Sequence, residues 1–115
     1  MPVTLAAIED ARRRIAGSAI RTPLVRLNCP DAPAAVYLKL ENLQPIGSFK
    51  MRGAANAVAH IPGDQLRRGL VTASAGNMAQ GVAWRARELG IPCTVVAPDS
   101  APAVKVEASS GWAGA

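Results

Sequence analysis

The chain is poor in rings. Its 115 residues include one phenylalanine, one tyrosine, two tryptophans and a single histidine. So few aromatics leave no series of base-stacking platforms, and no nucleic-acid reader motif appears. The formal charge of +5 therefore does not point to a nucleic-acid partner. Ten arginines and three lysines stand against eight acids, and Arg12-Arg13-Arg14 is the only basic run. Cysteine is equally sparse: Cys29 and Cys93 show neither metal-ligand spacing nor a CxxC pattern, so no metal centre is expected. Cys93 sits in an apolar run and reads as a buried thiol; without a disulfide framework, the expected setting is a reducing cytoplasm. No apolar stretch approaches the roughly 18 residues of a membrane span. The N-terminus also lacks the basic start and apolar middle of a secretory signal. Both GxGxxG and GxxxxGK[ST] are missing, which excludes the two commonest phosphate loops of nucleotide-binding α/β modules.

Half of the residues are apolar, so the core must come from Ala, Val, Leu and Ile. Thr4 is placed to cap a helix running to about Ala16, with Leu5, Ile8 and Ile15 on one face and Gly17 as its stop. Arg12 to Arg14 then read as a solvated face. Arg21 to Leu27 reads as extended, and the alternation in Val36 to Glu41 as a half-buried strand. A helix is expected from Phe49 to about Ala59 with Ser48 as N-cap. Pro62-Gly63-Asp64 breaks the chain, and a helical turn is expected at Leu66 to Arg68. Gly69 to Ser74 and Cys93 to Ala97 read as buried strands around a helix from Asn77 to Leu89, which Gly90 and Pro92 stop. That order is a right-handed crossover and predicts a parallel sheet. Ser100 is placed to cap a last helix with Pro102 in its first turn.

Two strand-to-helix turns carry the chemistry. Lys50 is one of only three lysines and falls in a first helical turn, behind Gly47 and Ser48. Unpaired N–H groups and the positive end of the helix dipole gather there, a field that favours the free amine over the ammonium. A free amine can condense with an aldehyde or take up a proton. The second turn, Ser74-Ala75-Gly76-Asn77-Met78, has small residues that let an anion approach backbone amides, and Asn77 adds a side-chain donor. Plainer readings stand beside these. A lysine at a helix start is most often solvated, Ser48 is most simply a cap, Phe49 and Trp84 are most simply packing residues, and Ser-Ala-Gly-Asn alone is a turn. His60, beside a Pro-Gly break with no acid or nucleophile near it, reads as surface.

Taken together, four stretches resemble the fold-type II pyridoxal-phosphate enzymes, in the threonine dehydratase and serine racemase branch. They are Arg21-Thr22-Pro23-Leu24 behind the first helix, Leu38 to Pro45, Gly47-Ser48-Phe49-Lys50-Met51-Arg52-Gly53-Ala54, and Thr72 to Ala83. The resemblance implies an α/β fold, part of a tryptophan synthase β-like parallel sheet with flanking helices. It implies pyridoxal 5'-phosphate as cofactor, a small-molecule amino-acid substrate and a homo-oligomeric parent. Residues 1–55 would belong to the larger domain and 56–115 to the start of the smaller one. Lys50 would hold the cofactor and remove the Cα proton, with Phe49 near its ring and Asn77 donating to its 3-oxygen. Ser74, Ala75, Gly76, Asn77 and Met78 would line the substrate carboxylate site. The implied reaction is β-elimination from threonine or serine to a 2-oxo acid and ammonia. A racemase, or a β-replacement synthase of the same fold, is the alternative, and a non-catalytic nucleotide-binding α/β module the more distant one.

The sequence departs from that pattern in three places. Ala75 stands where the racemase branch carries a second serine, which favours elimination over racemisation. Met78 replaces the histidine common after the asparagine. The glycine-rich phosphate cup and the partner of the pyridine nitrogen have no counterpart in the 115 residues, and the pattern is lost after Glu107-Ala108. Two strands are also too few for a parallel sheet covered on both faces. The expectation is an N-terminal portion of a larger, truncated enzyme, inactive by itself.

Overall fold

The structure, a computed structural model, describes residues 2–100 and Gly111. The expected helix after Ser100 lies outside the described residues. Thr4 caps α1 (Leu5–Arg14), its hydroxyl accepting the Ala7 N–H at 3.2 Å. The helix ends earlier than expected, with Ile15 as C-cap and Gly17 turning the chain at φ 89°. Leu5 and Ile8 are exposed, against the expected buried face, and only Ile15 packs inward. The reason is that α1 touches the rest through its C-terminal end. There Arg14 Nε donates to Asn56 Oδ1 at 3.0 Å, while Arg13 pairs with Asp10 within the helix. The arginine run is thus solvated at Arg12 and Arg13 but anchors the helix at Arg14.

Strands β1 (Leu24–Arg26) and β2 (Tyr37–Lys39) form a two-stranded antiparallel ribbon with Val25 opposite Leu38. Both are exposed along their length, so the expectation of a half-buried strand fails: no described element covers either face. Glu41 leaves the strand for a 3-10 turn at Glu41–Leu43. Gly63–Leu66 forms the short helix α3, earlier than expected because Pro62 supplies its N-cap and accepts the first N–H groups.

The second half matches its sequence pattern more closely. β3 (Leu70–Ala73), α4 (Asn77–Leu89) and β4 (Cys93–Val96) form the crossover unit, with Leu70 beside Cys93 and Ala73 beside Val96 in parallel register. Gly90 ends α4 in the left-handed region at φ 65°, as a C′ glycine does. The two strands are buried on one face only. Leu70, Thr72, Cys93 and Val95 face inward, whereas Val71 is 77% and Val96 55% exposed. A two-stranded sheet with its helix on one side leaves the other side open.

Helix α2 (Lys50–Val58) lies against α4, and their contact is built from very small side chains. Ala54 and Ala55 from α2 meet Ala79, Gly81, Ala83 and Ala86 from α4, all of them buried, with Met51 as the largest wholly buried side chain among the described residues. At Gly81 a Cβ would lie 3.1 Å from the Ala54 Cβ and 3.4 Å from the Lys50 carbonyl oxygen. Small residues therefore let the backbones approach closely. Val58, Leu70 and Ala86 continue this core toward the sheet.

Candidate functional site

Lys50 is the first residue of α2 and is half-buried. Its ammonium nitrogen lies 5.1 Å from the centroid of the Phe49 ring, within cation–π range. Phe49, directly ahead of α2, already has helical dihedrals at φ −62° and ψ −16°, and its carbonyl accepts the Arg52 N–H at 3.0 Å, so the expected helical start at Phe49 fits the backbone. The Ser48 hydroxyl accepts the Lys50 N–H at 3.3 Å, the capping hydrogen bond expected of it. The reading of Phe49 as a core residue is wrong. It is 58% exposed, because the inward face of α2 is taken by Met51, Ala54, Ala55 and Val58.

At the second turn, Gly76 is the N-cap of α4, with φ −135° and ψ −156°. The Ser74 hydroxyl accepts the Gly76 N–H at 3.2 Å, a local bond that holds the turn open ahead of the helix. A Cβ built on Gly76 would meet nothing within 4 Å. The glycine thus borders free space beside the first N–H groups of α4, which lack intrahelical acceptors by the geometry of a helix start. Ser74, Ala75, Gly76 and Met78 are half-buried, and Asn77 is exposed.

One hydrogen bond joins the two turns: Asn77 Nδ2 donates to Ser48 Oγ at 3.1 Å. Ser48 is 6% exposed and so accepts from both sides, from the Lys50 backbone and from the Asn77 side chain. Sequence reasoning treated Ser48 only as a cap. The spacing of the two turns gives no local sign of this bond, which exists because α2 and α4 pack side by side.

A polar cluster behind Lys50 was also missed. The Glu41 carboxylate accepts from Arg52 Nε and Nη2, each at 2.8 Å, and from the Thr22 hydroxyl and Gln44 Nε2. Arg52 Nη2 also donates to the Ile20 carbonyl at 2.9 Å, and Gln44 bonds both backbone groups of Ile20. Lys39 Nζ reaches the Thr22 carbonyl. The Arg52 hydrogen bonds, against a desolvation cost and helped by Thr22, hold the Glu41 carboxyl down at about 2. Arg52 is pushed up in return by Glu41. The cluster ties residues 20–22, the 3-10 turn and α2 together, two residues from Lys50.

Among the described residues no group of three His, Cys, Asp or Glu could hold a metal, and no helix is long and apolar enough to cross a membrane. Both cysteines are free: Cys29 is exposed, and burial pushes the half-buried Cys93 thiol up. His60 is exposed, and its Nδ1 bonds the Asn56 carbonyl at 2.7 Å. Trp84 is half-buried on α4.

A helix-start lysine and a small-residue turn at a second helix, on an α/β frame with a parallel crossover, define the fold-type II class of pyridoxal-phosphate enzymes. The family profile "Pyridoxal-phosphate dependent enzyme" matches residues 15–112, and the chain belongs to that family. It is 45% identical over 113 residues to the catabolic L-threonine dehydratase TdcB of Staphylococcus aureus (strain USA300), covering 96% of this chain and 33% of the relative. Maize serine racemase superposes with a TM-score of 0.90 at 37% identity, over 100% of this chain and 36% of that one. The processed form of threonine deaminase isoform 2 from Solanum lycopersicum gives 0.79 at 30% identity, over 97% and 33%. The chain thus spans about a third of the length of the relatives it matches.

The family is pyridoxal-phosphate dependent, and the residues present suit that group. A half-buried lysine side chain, an amide donor in Asn77 and a turn left open at Gly76 are groups compatible with an aldehyde-bearing cofactor.

Proposed function

We propose that this chain supplies the cofactor lysine and the carboxylate-binding turn of an enzyme that deaminates threonine or serine by β-elimination. The observation that carries this reading is the Asn77–Ser48 hydrogen bond, which brings the lysine turn and the small-residue turn into one site. Lys50 Nζ would hold pyridoxal phosphate, with Phe49 and Asn77 beside it. Bound there, the cofactor supplies an electron sink for the pair left at the substrate Cα. The protein supplies the rest. Lys50 Nζ would take up the Cα proton. The Ser74 hydroxyl, the open backbone at Gly76 and the N–H groups of Asn77 and Met78 grip the substrate carboxylate. Ala75 brings no hydroxyl to the opposite face of Cα, so elimination is favoured over racemisation. This distinction is needed because the maize serine racemase shares the fold so closely.

On the same reading, residues 1–55 fall in the larger domain and 56–115 in the smaller. That boundary lies inside α2, so this helix would carry the link between them. The setting would be cytoplasmic and the parent an oligomer. Borohydride reduction of the chain with pyridoxal phosphate, followed by peptide mapping, tests the central assignment: the label is expected on Lys50, and a label on Lys39 or Lys105 instead would refute it. The enzyme reading is tested by 2-oxobutanoate release from threonine by a protein that continues this sequence. Turnover by the 115-residue chain alone is not expected, since it has no phosphate cup.

A further inference from the structure

A second cavity, of about 470 Å³, lies between the end of α1, the turn that follows it, β2 and α2. Four of its lining side chains are cations drawn from those four segments: Arg12, Arg21, Lys39 and Arg52. No carboxylate lines it, although the chain has eight acids. Arg52 and Lys39 are held in place by the polar cluster, Arg52 on Glu41 and Ile20, and Lys39 on the Thr22 carbonyl. Arg12 and Arg21 make no hydrogen bond or ion pair among the described residues. The floor is apolar, from Ile15 and Ala19.

Arg52 already pairs with Glu41, but Arg12, Arg21 and Lys39 pair with no carboxylate among the described residues, and their convergence on one concavity costs free energy that an anion removes. Two cations are pre-set by their protein partners, so little side-chain freedom is lost when an anion arrives. Two others are free to close on it with charge-assisted hydrogen bonds. The volume falls in the range of small-molecule sites, roughly 300–1,000 Å³, and exceeds what a bare oxyanion needs. The apolar floor gives an organic body somewhere to rest.

We infer that this cavity binds a small metabolite bearing a compact, multiply charged oxyanion group. Neither Ser48, Lys50 nor the Ser74–Met78 turn lines it, so it is a second site and does not depend on the reading of the first. The oxyanion is either a phosphate ester or a cluster of carboxylates, and both satisfy the same cations.

Titration calorimetry of the 115-residue chain with inorganic phosphate and with citrate, against chloride at matched ionic strength, tests the inference and separates the two sources. Saturable binding of one or both anions, weakening with added salt, is expected. Arg12→Gln with Arg21→Gln should weaken it at least about tenfold, because hydrogen bonds to charged groups are lost. Arg67→Gln with Arg68→Gln makes the same change in net charge away from the cavity and should leave binding intact. Amide NMR spectra check that each variant keeps its fold, and Arg12→Gln alone serves if the double variant does not. No saturable binding, equal heats with chloride, or equal losses in both pairs of variants would overturn the proposal.

Discussion

Replacing Glu41 with glutamine should weaken the fold by an amount that depends on pH in a defined way. The Glu41 carboxyl titrates at about 2 in the folded chain against an ordinary 4.5, chiefly because Arg52 hydrogen-bonds it. Taken at face value, that difference corresponds to an upper limit of about 3 kcal/mol of stability. Glu41 is 17% and Arg52 33% exposed, so water screens the pair and about 1–2 kcal/mol is the realistic share. The folded value is depressed, so the stabilisation is complete above pH 4.5 and is lost as pH falls toward 2. Glu41→Gln removes that share and leaves a partly buried guanidinium with weaker acceptors, for a total cost of about 1.5–3 kcal/mol at neutral pH. Urea unfolding of both proteins from neutral pH downward should show a gap that holds to about pH 4.5 and narrows below it. A double-mutant cycle with Arg52→Gln should return a coupling of about 1 kcal/mol or more. A gap that is absent at neutral pH, or that persists unchanged under acid, would refute the clasp.

Gly69→Ala should cost about 2–3 kcal/mol by thermal or urea unfolding, because φ is 98° and the new Cβ would lie 2.7 Å from the Pro92 carbonyl oxygen. Gly81→Ala gains about 1 kcal/mol of helix propensity but places its methyl 3.1 Å from Ala54 Cβ, so a net loss of about 1 kcal/mol is expected, with reduced labelling of Lys50 by pyridoxal phosphate and borohydride. An aromatic disulfide reagent should modify the exposed Cys29 quickly and Cys93 slowly, the second rate rising to match the first in denaturant. Val71→Lys should reduce self-association and dye binding of the chain, since Val71 and Val96 leave one sheet face apolar and neither outer strand edge is paired among the described residues; equal association of the variant would count against that face.

What could be read from the sequence depended on how local its cause was. The span of α4 followed from the turn before it and from Gly90 and Pro92 after it, all at the segment's own ends. Thr4 signalled its helix for the same reason. Burial was less legible, because it depends on what lies opposite. Leu5 and Ile8 have helical spacing but no neighbour, and β2 alternates without a covering layer. Ser48 and Glu41 show the same limit at the site. Each looks like an ordinary cap or strand residue until packing brings Asn77 or Arg52 to it. Lys50 and the Ser74–Met78 turn could be singled out by motif alone, while the bonds that hold them could not.

Those bonds explain how Lys50 is held in place on so small a core. Alanine and glycine bury little area each, so the α2–α4 contact gains less from hydrophobic transfer than a leucine seam would. Its advantage is closeness, which puts the Lys50 carbonyl near Gly81 and the Ser48 hydroxyl within reach of Asn77. Closeness alone would let α2 slide along its axis, because small side chains interlock poorly. Arg52 prevents that from the opposite side, since its guanidinium is held at once by Glu41 and by the Ile20 carbonyl. The first turn of α2 is therefore fixed by packing on one face and by charge on the other. On the proposed reading, a lysine held this way would lose little orientation freedom on capturing an aldehyde, as an amine serving as both anchor and base requires.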